Sequence, residues 1–169
     1  MKRTVLVLGL SFSLISVNLF AAPFALESSA FKLNSLIPDE FTCHGKNSSP
    51  PLAWEHIPPN TQSLALVVTD PDAPAGTWTH WVVFNIPASV HQLDAAGPLP
   101  KGAVQAQNSW GSSDYRGPCP PMGMHRYVFT LYALDKPLSL NEGVAKEVAL
   151  DAMTGHVIGT AQWIGLYQK

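Results

Sequence analysis

Three short apolar runs, each closed by turn-forming residues, constrain this chain more than any other feature. They are Ser63–Asp70 (SLALVVTD), His80–Ile86 (HWVVFNI) and Arg126–Leu134 (RYVFTLYAL). All three are rich in β-branched and aromatic side chains, which suit a pleated, half-buried surface. Pro87 ends the second run, and Asp135, Lys136 and Pro137 end the third. Several such runs between turn signals predict an all-β sandwich or barrel. Phe24–Ser28 and Val157–Tyr167 read as weaker strands. One helix is expected, because Val144, Ala145, Val148, Ala149, Ala152 and Met153 recur at helical period. Asn141 would cap its start and Gly155 would stop it, with the apolar stripe packed on the sheets.

Composition narrows the alternatives. The chain has 169 residues with a hydrophobic fraction of 46%, too apolar for a disordered protein. Its 15 Pro and 12 Gly are too many for a helix bundle, and 2 Cys cannot build a disulfide-rich scaffold. A formal charge of −2 excludes a nucleic-acid binder that works by neutralising phosphates.

Residues 1–21 read as a secretory signal peptide. Lys2 and Arg3 are the only charges before Glu27, and an apolar stretch interrupted by Ser and Asn runs to Ala21. A basic start, an apolar middle and a small-residue end form an export signal, and the stretch is short for a membrane span. Cleavage after Ala21 leaves residues 22–169 as a single domain with no integral membrane span. Removing Lys2 and Arg3 leaves 8 basic against 12 acidic residues. The expected destination is the periplasm, which permits disulfides. Cys43 and Cys119 either pair there or stay as separate buried thiols.

Two segments lack strand character: Asp39–Asn60, and Gly97–His125 with Pro98, Pro100, Pro118, Pro120 and Pro121. Long ordered loops in a compact domain usually carry function, and proline fixes their shape. The strand ends supply the chemistry. If the first two runs pair as antiparallel neighbours, Asp70 and His80 meet at one edge of the sheet. His125 stands just before the third run and reaches the same edge. Alternation places Leu64, Leu66, Val68 and Asp70 on one face; His80, Val82, Phe84 and Ile86 on another; and His125, Tyr127, Phe129 and Leu131 on a third. An apolar face ending in a polar residue, three times over, points to a polar pocket capping the core. A metal triad lacks close-spaced histidines. A serine hydrolase lacks a nucleophile elbow. Imidazoles donating to an anion fit best, with Asp70 fixing a tautomer.

These residues also carry a family resemblance. Asp70-Pro-Asp-Ala-Pro74 followed by Trp78-Thr-His-Trp81 resembles the first signature of the phosphatidylethanolamine-binding protein family. Tyr115-Arg-Gly-Pro-Cys-Pro-Pro-Met-Gly-Met-His-Arg-Tyr127 resembles the second. Phe41-Thr-Cys-His-Gly and Ser49-Pro-Pro-Leu-Ala-Trp54 resemble the bacterial Raf-kinase-inhibitor-like branch. The resemblance implies a sandwich of two antiparallel sheets, with one or two short peripheral helices and a small pocket for phosphate-type groups such as phospholipid headgroups. Carried over by position, Asp70, His80, His125 and Tyr127 would line the pocket. Asp72 and Pro74 would shape one wall. Tyr115, Pro118, Cys119, Pro120 and Pro121 would shape the other, with the Cys119 N–H as an anion donor. The strand-like C-terminal run does not resemble the C-terminal helix of some animal members, which weighs against kinase regulation.

The function expected is therefore a periplasmic, non-enzymatic binder of a small anionic or phosphorylated ligand, without cofactor or metal. The alternative is a protein-interaction module that inhibits a protease, kinase or other envelope protein through the 97–121 loop. A hydrolase or lyase ranks below both. The partners considered are the ligand, a protein target and a second copy of the chain.

Overall fold

The computed structural model describes residues 22–169, so the export segment read at residues 1–21 lies outside the described residues. Among the described residues nine strands appear in chain order: β1 (Ala25–Glu27), β2 (Ser35–Leu36), β3 (Leu52–Glu55), β4 (Ser63–Asp70), β5 (Trp78–Pro87), β6 (Gln92–Leu93), β7 (Val104–Gln105), β8 (Met124–Leu134) and β9 (Val157–Gln168). A 3-10 turn covers Asp39–Phe41, and one helix, α1, covers Lys146–Met153. The small sheet has the order β1-β3-β6 and the large one β2-β9-β8-β4-β5-β7. All pairs are antiparallel except β2 with β9, which run parallel.

The three runs that dominate the sequence form the centre of the large sheet. One face of that sheet presents Leu64, Leu66, Val68, Trp81, Val83, Phe129 and Leu131 to Leu26, Leu52, Trp54 and Leu93 of the small sheet. The other face presents Ala65, Val67, Val82 and Phe84 to Leu138, Ala149 and Met153. β4 is thus covered on both sides, which is why its sequence is nearly continuously apolar. Each large side chain so buried stabilises the fold by about 1.5–3 kcal/mol.

Two register shifts in β5 overturn the simple alternation expected there. Val68 pairs with Trp81 but Thr69 with Thr79, so His80 is an extra residue in the ladder. Leu64 pairs with Ile86 but Leu66 with Val83, which is a second bulge. Asn85 takes a φ of 57° there, a conformation Asn tolerates. Its side chain donates to the Leu138 carbonyl at 2.8 Å and accepts the Leu138 N–H at 2.7 Å. His80, Val82, Phe84 and Ile86 therefore do not share a face. Val82 and Phe84 face the helix side, Ile86 faces the small sheet, and His80 is re-aimed by its bulge.

The helix is shorter than its periodicity predicts. It starts after Ala145 with no side-chain cap, not at Asn141. Gly143 has a φ of 78°, and its N–H donates to the Gln105 carbonyl at 2.8 Å. The Gln107 N–H donates to the Val144 carbonyl at 2.8 Å, so residues 143–144 are held along the β7 edge. Ala149 and Met153 are buried, whereas Val148 faces solvent. Gly155, at φ 80°, follows the helix as expected. The two strandless segments each contain a short strand, β3 and β7. In β3 only Leu52 and Trp54 are buried, too few alternations to stand out between prolines.

Candidate functional site

A cavity of about 260 Å³ opens at the edge where β4 ends and β5 begins. Asp70, Trp78 and His80 come from those strand ends. Ala73, Pro74 and Ala75 come from the β4–β5 connection, and Trp110, Cys119 and Pro121 from the long loop before β8.

Asp70 is 4% exposed and both its carboxylate oxygens are occupied. Oδ2 accepts the His125 Nδ1–H at 2.7 Å, and Oδ1 accepts the Asp72 N–H at 2.9 Å. A carboxylate can only accept, so the partner nitrogen of His125 carries the proton. His125 thus stands behind Asp70, not on the cavity wall.

His80 is buried by its bulge, and its Nδ1–H donates to the Arg116 carbonyl at 2.6 Å. That bond fixes the tautomer and leaves Nε2 as the remaining nitrogen. Burial pushes the imidazole below its ordinary pKa, against the opposing pull of the Arg116 carbonyl, the Asp70 charge and the Gly117 carbonyl. Its ring meets those of Tyr127 and Trp110 edge-on, at 5.2 and 5.0 Å between centroids.

The Tyr127 side chain is fully buried, and its hydroxyl is the one buried side-chain polar atom without a hydrogen-bond partner among the described residues. Burial first, then the Asp70 charge and the nearby Asp70 carboxylate as an acceptor, push this phenol's pKa up, while the Cys119 N–H near its oxygen pulls the other way; neither group meets the hydroxyl in good hydrogen-bond geometry. The Cys119 N–H, the Tyr127 hydroxyl and the His80 ring therefore converge on one region. Trp78, Pro74, Ala73 and Ala75 make the opposite side apolar.

The second wall is braced by a disulfide between Cys43 and Cys119, with Cα atoms 5.4 Å apart, so the two cysteines pair. The Tyr115 hydroxyl donates to the Phe41 carbonyl at 2.9 Å and the Cys43 N–H to the Pro118 carbonyl at 3.0 Å. The Gly117 N–H donates to Asn47 Oδ1 at 2.8 Å. A Cβ on Gly117 would lie 2.2 Å from the Phe41 carbonyl oxygen, so only glycine allows the two loops this approach.

Of the residues expected at the pocket, Asp70, Pro74, His80, Cys119 and Pro121 line it. His125 and Tyr127 lie directly behind it. Tyr115, Pro118 and Pro120 are buried behind the wall and do not line the cavity. Asp72 likewise does not line the cavity. Its carboxylate accepts the Arg126 main-chain N–H at 2.9 Å and the guanidinium at 2.9 and 2.7 Å, anchoring the start of β8 beside His125. Those side-chain and main-chain hydrogen bonds from Arg126 hold the Asp72 pKa at about 2. Trp110 was not foreseen as a wall. It is 42% exposed, at the tip of an Asn108 turn whose side-chain oxygen accepts the Trp110 N–H at 2.9 Å. A tryptophan on a polar turn ending in Gly111 was the available signal.

A two-sheet sandwich with a small half-apolar pocket at its strand ends defines a binding-protein architecture. A family model described as phosphatidylethanolamine-binding protein matches residues 27–168, and the chain belongs to that family. A UPF0098 protein of Methanothermobacter thermautotrophicus is 52% identical over 148 residues, covering 85% of this chain and 98% of that protein. One from Chlamydia trachomatis is 44% identical over 149 residues, covering 85% and 98%. The crystal structure of a phosphatidylethanolamine-binding protein homologue from Chlamydia trachomatis superposes with a TM-score of 0.82 at 43% identity, covering 87% of this chain and 98% of that one. That of YbcL from E. coli, described as a new member of the mammalian family, gives 0.82 at 32% identity, covering 88% and 99%.

Proposed function

We propose that this protein binds a small phosphate monoester without turning it over, in the periplasm. The observation that carries the reading is the partnerless Tyr127 hydroxyl buried beside the cavity. A buried hydroxyl left unpaired costs about 1–3 kcal/mol, which an arriving acceptor recovers. The Cys119 N–H is a second donor and His80 Nε2, once protonated, a third. Both Asp70 oxygens already accept hydrogen bonds, from His125 and the Asp72 N–H, and the donors must hold the anion against its charge. The apolar side, with Trp78 and Pro74, suits the organic part of an ester better than free phosphate. Export is supported by the pattern of residues 1–21 and by a disulfide, which persists in oxidising compartments.

The test is thermal unfolding with O-phosphorylethanolamine and, separately, inorganic phosphate. A ligand that binds only the native state raises the Tm. The ester is expected to raise it more than phosphate, and His80→Ala to remove the effect. Equal shifts in wild type and His80→Ala, or no shift with either compound, would overturn the assignment.

A further inference from the structure

We propose that the Cys43–Cys119 disulfide is a thiol-exchange site, at which an external small-molecule thiol attacks Cys119 and Cys43 leaves. Three observations carry this. First, both cysteines are solvent-exposed, although structural bridges are usually buried, and Cys119 also lines the cavity that gives a small molecule access. Second, His44 Nδ1 lies 3.8 Å from Cys43 Sγ and 3.0 Å from the Tyr167 hydroxyl. That hydroxyl donates to Asp39 Oδ1 at 2.9 Å. Because the carboxylate can only accept, Tyr167 is the donor to Asp39, and its oxygen is free to accept from His44 Nδ1–H. The same nitrogen stands 3.8 Å from the Cys43 sulfur, so its N–H can turn from the Tyr167 oxygen to a thiolate formed there. Among the described residues, no side chain is within hydrogen-bond distance of Cys119 Sγ, whereas His44 is within that distance of Cys43 Sγ. The sulfur whose thiolate is better stabilised is the better leaving group, so attack falls on the other one. Third, the bridge is not the sole tie between its loops. The Cys43–Pro118, Tyr115–Phe41 and Gly117–Asn47 hydrogen bonds keep the loops docked when it opens.

The chemistry balances with a thiol as the co-reactant. An external thiolate forms a bond to Cys119 Sγ, and the electron pair of the Sγ–Sγ bond passes to Cys43 as a thiolate held by His44 Nδ1–H. A second thiol then attacks the mixed disulfide, releasing Cys119 as a thiolate. The two external thiols end as their disulfide and the protein bridge is reduced. The exchange does not depend on the proposed ligand. Its effect on the cavity does, because the adduct on Cys119 would stand in the cavity wall.

The experiment treats the native, oxidised protein with glutathione without denaturant, quenches with N-ethylmaleimide and maps the peptides by mass spectrometry. Glutathione is expected on Cys119 and maleimide on Cys43, in about tenfold excess over the reverse pattern. His44→Ala and His44→Gln are each expected to slow bridge opening about tenfold. Glutathione on Cys43 to an equal or greater extent, or no adduct from the native protein, overturns the proposal; both readouts need only the wild-type chain. Unchanged opening rates in both folded His44 variants overturn it as well.

Discussion

Replacing Tyr127 by Phe separates stability from binding in a way that few substitutions do. The Tyr127 ring is fully buried and touches His80 edge-on, so the phenyl ring keeps the packing. Only the hydroxyl goes, and it has no partner to lose. Tyr→Phe at a satisfied buried hydroxyl ordinarily destabilises by about 0.5–1.5 kcal/mol. Here the sign reverses. Removing an unpaired group recovers part of its desolvation cost, about 1 kcal/mol, worth about 2–4 °C in Tm for a domain of this size. The variant also loses a donor to a charged acceptor, a bond worth about 1.5–3 kcal/mol, or about 10- to 100-fold in affinity. Calorimetry of both proteins with and without O-phosphorylethanolamine gives the readout. Without the compound the variant melts higher; at saturating compound the order narrows or inverts. A variant that melts lower and keeps the full ligand shift would show that the hydroxyl is satisfied within the protein and does not meet the ligand.

Other outcomes follow from the same geometry. Burial lowers the His80 pKa, so the unfolded chain takes up this proton first on acidification. Its contribution to stability is complete above the ordinary histidine value near 6.5 and declines as pH falls from there toward the lowered folded value. Phosphate-ester affinity should move the opposite way, rising as pH falls from 7 to 5, because His80 Nε2 needs a proton to donate or the ester must bring one; titration calorimetry in His80→Gln should show a flatter profile. Replacing both Cys43 and Cys119 by Ser opens a loop with a sequence separation of 76, and chemical denaturation should register a loss of about 4 kcal/mol. Asp72→Asn breaks a solvent-exposed ion pair and should cost no more than about 1 kcal/mol, with the wild-type advantage lost as pH falls from the ordinary carboxylate range toward about 2.

Much of this arrangement is legible in the amino-acid order, for physical reasons that also mark where legibility stops. β4, β5 and β8 announce themselves because burial on one or both faces demands continuous apolar, β-branched sequence. β3, β6 and β7 are too short to show a period, and they form because long-range partners supply their hydrogen bonds. The helix starts later than its periodicity predicts because Gly143 and Val144 bond the segment at and after β7, a tertiary contact that local periodicity does not contain. At the site, Asp70 and His125 were placed together by strand-end logic, and they are hydrogen-bonded. Antiparallel strand ends also bring His80 to that edge, but the face it would share with Val82, Phe84 and Ile86 does not exist, because its bulge aims the ring. Trp110 escaped because its turn is set by an Asn108 side chain, a local device without apolar patterning.

The bulge at His80 separates the residue that faces the cavity from the residues that hold the ladder. An extra residue in a ladder is an addition to a scaffold that is complete without it. Val68 still finds Trp81 and Thr69 still finds Thr79 on either side. The core and the cavity-facing ring are therefore specified by different positions of one strand. A change at residue 80 therefore alters the cavity wall and its contacts with Tyr127, Trp110 and the Arg116 carbonyl, while the strand pairs on either side keep their register.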